Sequence, residues 1–332
     1  MSQRQFPRDQ QAQGSSSSSP SPAPDCLPGN VKACLRRLPA AAQRFLTIQG
    51  QTSLLARRAA DDLLRCLNPV GGYADMLPNS RSQAANEAVA AVLADGAVSV
   101  ALLRLVAVAT RLTPAELCPA LNDKRTQTVC ARAFLTSGHL VGELLQRWSK
   151  PTPHVVDFAR KLLRMQTLQA LSRQLAAAAD ALLAARSAQG QSPDQEQQMA
   201  IDAVLYQALN VVCLSCSLLN GLIVSPAATH YFTDLVTALH GSCVLEHSAR
   251  LLLLVEVAER AELERAVKGP AKQEEALGGN PYQAVHDFFQ AFSSCVLLFQ
   301  MATAAMPASP TCAQLREVLS GRCTQYAAVG HG

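Results

Sequence analysis

Two cysteines three residues apart, Cys213 and Cys216, lie in the run NVVCLSCSLLNGLIVSP, and His240, Cys243 and His247 follow them. Thiolates and imidazoles in two sets at such a spacing are the raw material of a tetrahedral zinc site. The neighbours argue for packing instead. Val211, Val212, Leu214, Leu218 and Leu219 surround the pair, and residues three apart on a helix simply share a face. No strand precedes the pair, as a thioredoxin-like redox motif would need. The expectation is therefore no metal site and no cofactor.

The remaining chemistry-bearing clusters are equally poor. Asp61 and Asp62 are adjacent, so on a helix their carboxylates diverge by about 100°, whereas a magnesium–diphosphate site needs them three or four residues apart. They read as a solvated face, as do the lone pairs Glu246–His247 and His286–Asp287. The sequence contains no H-E-x-x-H, E-x-x-H, G-x-S-x-G, G-x-x-x-x-G-K-[ST] or G-x-G-x-x-G, the patterns that would announce a metalloprotease, a di-iron bundle, a hydrolase or a nucleotide site. No catalytic residue is assigned, and an enzyme is not expected.

Charge offers more. Lys32, Arg36, Arg37, Arg44, Arg57, Arg58 and Arg65 are opposed locally only by Asp61 and Asp62. No aromatic residues interleave to stack bases, and the doublets 36–37 and 57–58 cannot both lie on one stripe, so specific nucleic-acid binding is not expected. The net charge of +4 is too small and too evenly spread past the N-terminal third to change that. An acidic partner or an anionic lipid surface suits these residues better. The stretch VEVAERAELERAVKG, 255–269, alternates Glu256, Glu259, Glu262 and Glu264 with Arg260 and Arg265, as an exposed helix face does. It could pair with the basic helices or with a second copy of the chain.

Two runs lack charge altogether, between Asp202 and Asp234 and between Asp287 and Arg316, and both are long enough to cross a bilayer. Scattered Asn, Ser and Gln, the break at Ser225–Pro226 and the want of basic flanks or an aromatic belt point to helices in a protein core. Membrane association through 203–224 and 286–306, or through the basic helices, is the alternative.

These groups must be positioned by helices. Of 332 residues, 49% are hydrophobic, 16% charged and 5% aromatic, a composition for closely packed Ala- and Leu-rich helices. Residues 1–30, with GSSSSSPSPAPDC, read as a disordered tail in which Ser19 and Ser21 precede prolines, the context of proline-directed phosphorylation. Without an apolar leader the chain is expected in the cytoplasm or nucleus. Its eleven cysteines, Cys34, Cys66, Cys130, Cys213 and Cys295 among them, should act there as small buried hydrophobes.

A capping residue followed by proline recurs at Thr113–Pro114, Thr152–Pro153, Ser192–Pro193, Ser225–Pro226, Asn280–Pro281 and Ser309–Pro310, and Glu116 completes a capping box,. With the apolar spacing, these marks predict helices over 31–48, 52–67, 82–110, 114–121, 123–149, 153–187, 193–223, 226–240, 243–267, 281–304 and 310–320,. Loops fall at 68–82, 187–195 and 268–281. The stripe Phe158, Leu162, Met165, Leu168, Leu171, Leu175, Ala178, Leu182 implies one helix of roughly 50 Å. Such length favours an all-α multi-helix bundle of long antiparallel helices in one domain, 31–332. An armadillo- or HEAT-like α-solenoid is the alternative, although no period of 33 to 47 residues is found. The function expected is a non-catalytic adaptor or scaffold for protein partners, self-association included, regulated through the tail and the 268–281 loop.

Overall fold

The computed structural model describes residues 27–48, 52–76, 83–113, 116, 124–146, 152–187, 195–225, 227–248, 250–251 and 254. The tail with Ser19 and Ser21, most of 114–121, the loop 268–281 and the helices expected over 281–304 and 310–320 lie outside these residues. The described part is 90% helical and contains no strand, as an Ala- and Leu-rich sequence poor in β-branched runs dictates.

The helices are α1 (Gly29–Leu46), α2 (Ser53–Met76), α3 (Gln83–Ala94), α4 (Gly96–Ala109), α5 (Lys124–Gln146), α6 (Pro153–Arg164), α7 (Thr167–Ser187), α8 (Gln195–Val224) and α9 (Phe232–Ser242). A 3₁₀ turn, Ala228–His230, precedes α9, and helix resumes at 244. Three expectations need correction. The stripe over 153–187 is two helices, because Gln166 takes a left-handed φ of 56° between α6 and α7. The span 82–110 is also two, because the Asp95 carboxylate leaves the helix and accepts from Ala97 N and Val98 N at 2.9 and 3.2 Å, an N-cap that starts α4 afresh. Finally, α2 runs on through Pro69, Gly71 and Gly72 to Met76, so the loop expected from 68 begins later.

The capping signals fared unevenly. At Thr113 the box closes as expected: Thr113 N donates to Glu116 Oε2 at 2.7 Å, and Glu116 N donates to Thr113 Oγ1 at 3.2 Å. Thr152 precedes proline at the first helical position of α6, but its hydroxyl caps nothing and is buried without a partner. Ser225 accepts from Ala227 N at 3.2 Å and introduces the 3₁₀ turn, not a regular helix.

The two breaks expose a periodicity the continuous stripes had hidden. α1, α4 and α7 begin at 29, 96 and 167, α2, α5 and α8 at 53, 124 and 195, and α3, α6 and α9 at 83, 153 and 232. Among these described helices a set of three thus returns after 67 to 79 residues. Packing follows the same order: α2 lies on α5 and α5 on α8, α1 on α4, α3 on α6 and α6 on α9. Inside each unit the first helix packs on the second. Equivalent buried positions match, as in Val31, Val98 and Leu168, in Leu38, Leu105 and Leu175, and in Ala42, Ala109 and Ala179. Cys243, with φ 55°, stands before the helix resuming at 244 as Gln166 stands before α7. The all-α multi-helix fold is as the sequence implied. Its internal order is that of stacked units, each burying its apolar face against the next.

The units are joined tightly. Phe45 of α1 meets Phe134 of α5 edge-on, centroids 5.4 Å apart. Gly142 of α5 packs directly on the backbone of Ser217 in α8, and a Cβ on Gly221 would lie 2.7 Å from Gly142 Cα. Only glycines allow two helix backbones this close.

Candidate functional site

Cys213 and Cys216 lie on α8, the first partly and the second fully buried. His240 is exposed on α9, and Cys243 occupies the left-handed position after it. Among the described residues no three His, Cys, Asp or Glu side chains gather as metal ligands would. The structure therefore does not bring Cys213, Cys216, His240, Cys243 and His247 together. Cys216 packs in the main core with Leu218, Leu219 and Leu222.

The cavity between the end of α4 and helices α5, α7 and α8, lined by Leu112, Phe134, Gln174, Asn210 and Leu214, has a volume of about 30 Å³. That is the share of a single water molecule, well below the few hundred Å³ of a small-molecule site. Gln174 Nε2 is buried there without a protein partner.

Of the two uncharged runs, Ala203–Ile223 within α8 has the length and apolarity of a membrane span, at a mean hydropathy of 1.5, and half of it is buried inside the protein. α8 packs on α5 and α7, and Ser215 shares a 2.8 Å hydrogen bond with Ser248. These contacts shelter the buried half of the run. The run 286–306 lies outside the described residues.

The N-terminal arginines are where the structure adds most. Asp62 stands between two of them, 3.9 Å from Arg44 and 3.3 Å from Arg65, while Arg57 pairs with Asp61 at 4.0 Å. Both carboxylates are thus taken up by exposed ion pairs, each contributing about 0–1 kcal/mol. Arg37 reaches the same place from α1: the Cys66 thiol, pushed up by burial, is pulled back by the Arg37 and Arg44 guanidiniums beside it. Arg58, four residues before Asp62, lies on the same stripe of α2.

One arginine of each doublet, Arg37 of α1 and Arg58 of α2, is exposed on this helix pair. Arg44 from α1 and Arg65 from α2 flank one carboxylate, Asp62, and the exposed Arg37 and Arg58 have no carboxylate partner among the described residues. At the start of α2, beside these charges, Leu54 and Leu55 are 57% and 48% exposed. Two large apolar side chains in water beside unopposed guanidiniums are the composition of a docking face: Arg is enriched at interfaces, and clustered exposed apolar groups mark contact surfaces.

No family model, curated protein or solved structure matches this chain.

Proposed function

We propose that the chain is a non-catalytic helical scaffold that docks protein partners on its α1–α2 face. The observation carrying this reading is that Leu54 and Leu55, both about half exposed, share the α1–α2 pair with exposed Arg37 and Arg58, which have no carboxylate partner among the described residues. The stacked units support it, since such arrays present extended surfaces on a rigid frame. The complementary partner carries acidic groups with apolar side chains among them. Affinity capture at physiological salt tests the reading. Wild-type chain recovers a defined partner, and Leu54→Glu with Arg58→Glu loses it. Equal recovery by both, or recovery of nothing, removes the proposal.

The second reading, membrane association, draws on the length and apolarity of Ala203–Ile223. Carbonate extraction separates the two: a scaffold is released to the supernatant, whereas an inserted helix holds the chain in the pellet.

A further inference from the structure

The charges of this chain are divided by position. Up to Ser187 the sequence carries 22 Lys and Arg against 12 Asp and Glu, and from residue 188 onward 7 against 13. The first part is net +10 and the second net −6, which together give the +4 of the whole. On the basic side the surplus includes α1 and α2, where Arg44 and Arg65 flank Asp62 and Arg37 and Arg58 are exposed. On the acidic side the densest run is Glu256, Glu259, Glu262 and Glu264, with Arg260 among them and Val257 and Leu263 as apolar neighbours.

The root of that acidic run is fixed. Ser248 and Arg250 are tied to the third unit, the first by its hydrogen bond with Ser215 and the second by Nη2 donating to Asp180 of α7 at 3.0 Å, and Leu254 packs on the core. The basic face belongs to the first unit. Between the two stands the second unit, with α5 touching α2 on one side and α8 on the other. Leu254, the last described residue before that run, thus lies with the third unit, and the second unit stands between it and the basic face, while residues 256–264 lie outside the described residues.

We propose that the α1–α2 face takes the acidic run 256–264 of a second copy of this chain, joining the copies head to tail. The inference rests on the reading of α1–α2 as a docking face and adds the identity of one occupant. A contact between two different patches of the same molecule is heterologous, so it builds open chains of copies unless the rotation closes. Guanidiniums on one side and carboxylates on the other steer the encounter and set register, while Leu54 and Leu55 exclude water at the edge. Arg37, Arg44, Arg58 and Arg65 are exposed, so a contact made through them is weak and salt-sensitive.

Sedimentation equilibrium of the purified full chain tests this. In low salt the mean mass rises with protein concentration, and raising the salt to about 0.5 M weakens the association at least about 10-fold. The double variant Arg37→Glu/Arg58→Glu and the double variant Glu259→Arg/Glu262→Arg each sediment as monomers with unchanged circular dichroism. Mixed, they associate again, because the acidic run of the first variant meets the intact basic face of the second and the doubly reversed pair is complementary as well. A wild-type chain that is monomeric in low salt, self-association that neither variant alters, or a mixture that stays monomeric overturns the proposal. The capture experiment with Leu54→Glu and Arg58→Glu reports separately on docking of other proteins, so failure of the head-to-tail contact is distinguishable from failure of the docking face.

Discussion

The Tyr231 hydroxyl donates to Leu222 O at 2.7 Å, and its side chain is 1% exposed. Burial lifts the phenol above its ordinary pKa of 10.0, an effect the Ser225 contact only partly offsets. The folded state therefore keeps a proton that the unfolded chain loses above pH 10. Stability from this residue is fully present below that pH and declines as pH rises toward the folded value. Urea unfolding at pH 7 and pH 10.5 should show the loss in wild type and a shallower one in Tyr231→Phe, which sacrifices about 1 kcal/mol at pH 7 through the missing hydrogen bond. Cys66, 1% exposed with its thiol pKa raised by burial, should alkylate far more slowly at pH 7.5 than Cys34 or Cys243, as mass-resolved iodoacetamide labelling would report. The burial of Cys66 was legible in the sequence from its apolar register. The role of Tyr231 was not, because its partner is a carbonyl exposed only by the end of α8.

Among the elements, the sequence was most readable where a local hydrogen bond decides the outcome, as at Thr113 and Glu116. It misled where the apolar period runs unbroken through a change of direction. Met165 and Leu168 keep a three-residue step across Gln166, so no glycine or proline marks the break, and the left-handed φ is imposed by the packing of α6 and α7. Non-glycine residues adopt that conformation at a cost. Gln166→Gly should accordingly raise stability by roughly 0.5–1 kcal/mol in chemical denaturation. The opposite is expected where α5 crosses α8. A Cβ on Gly142 would overlap the Ser217 carbonyl, a backbone atom that cannot rotate away. Gly142→Ala should then cost about 1–3 kcal/mol despite the better helix propensity of alanine.

At the scale of the molecule, the repeat was present in the sequence but hard to see. Its length varies between 67 and 79 residues, and equivalent positions such as Phe45, Leu112 and Leu182 share apolarity and little else. Stacking makes neighbouring units depend on each other, so Phe45→Ala, which empties the edge-on contact with Phe134, should destabilise by about 3–5 kcal/mol and do so for the first two units together, as hydrogen exchange would record. The proposed docking face likewise belongs to the assembled helices, since Arg44 of α1 meets Asp62 of α2 only when α1 lies on α2. A photo-reactive residue placed at position 55 on that face, and in a second chain at position 183 of α7, where Leu183 is 37% exposed, tests the scaffold reading most directly. The account predicts a protein adduct in cells from position 55, a second copy of the chain among its products, and little from 183. Equal adducts from both positions, or none from 55, would contradict it.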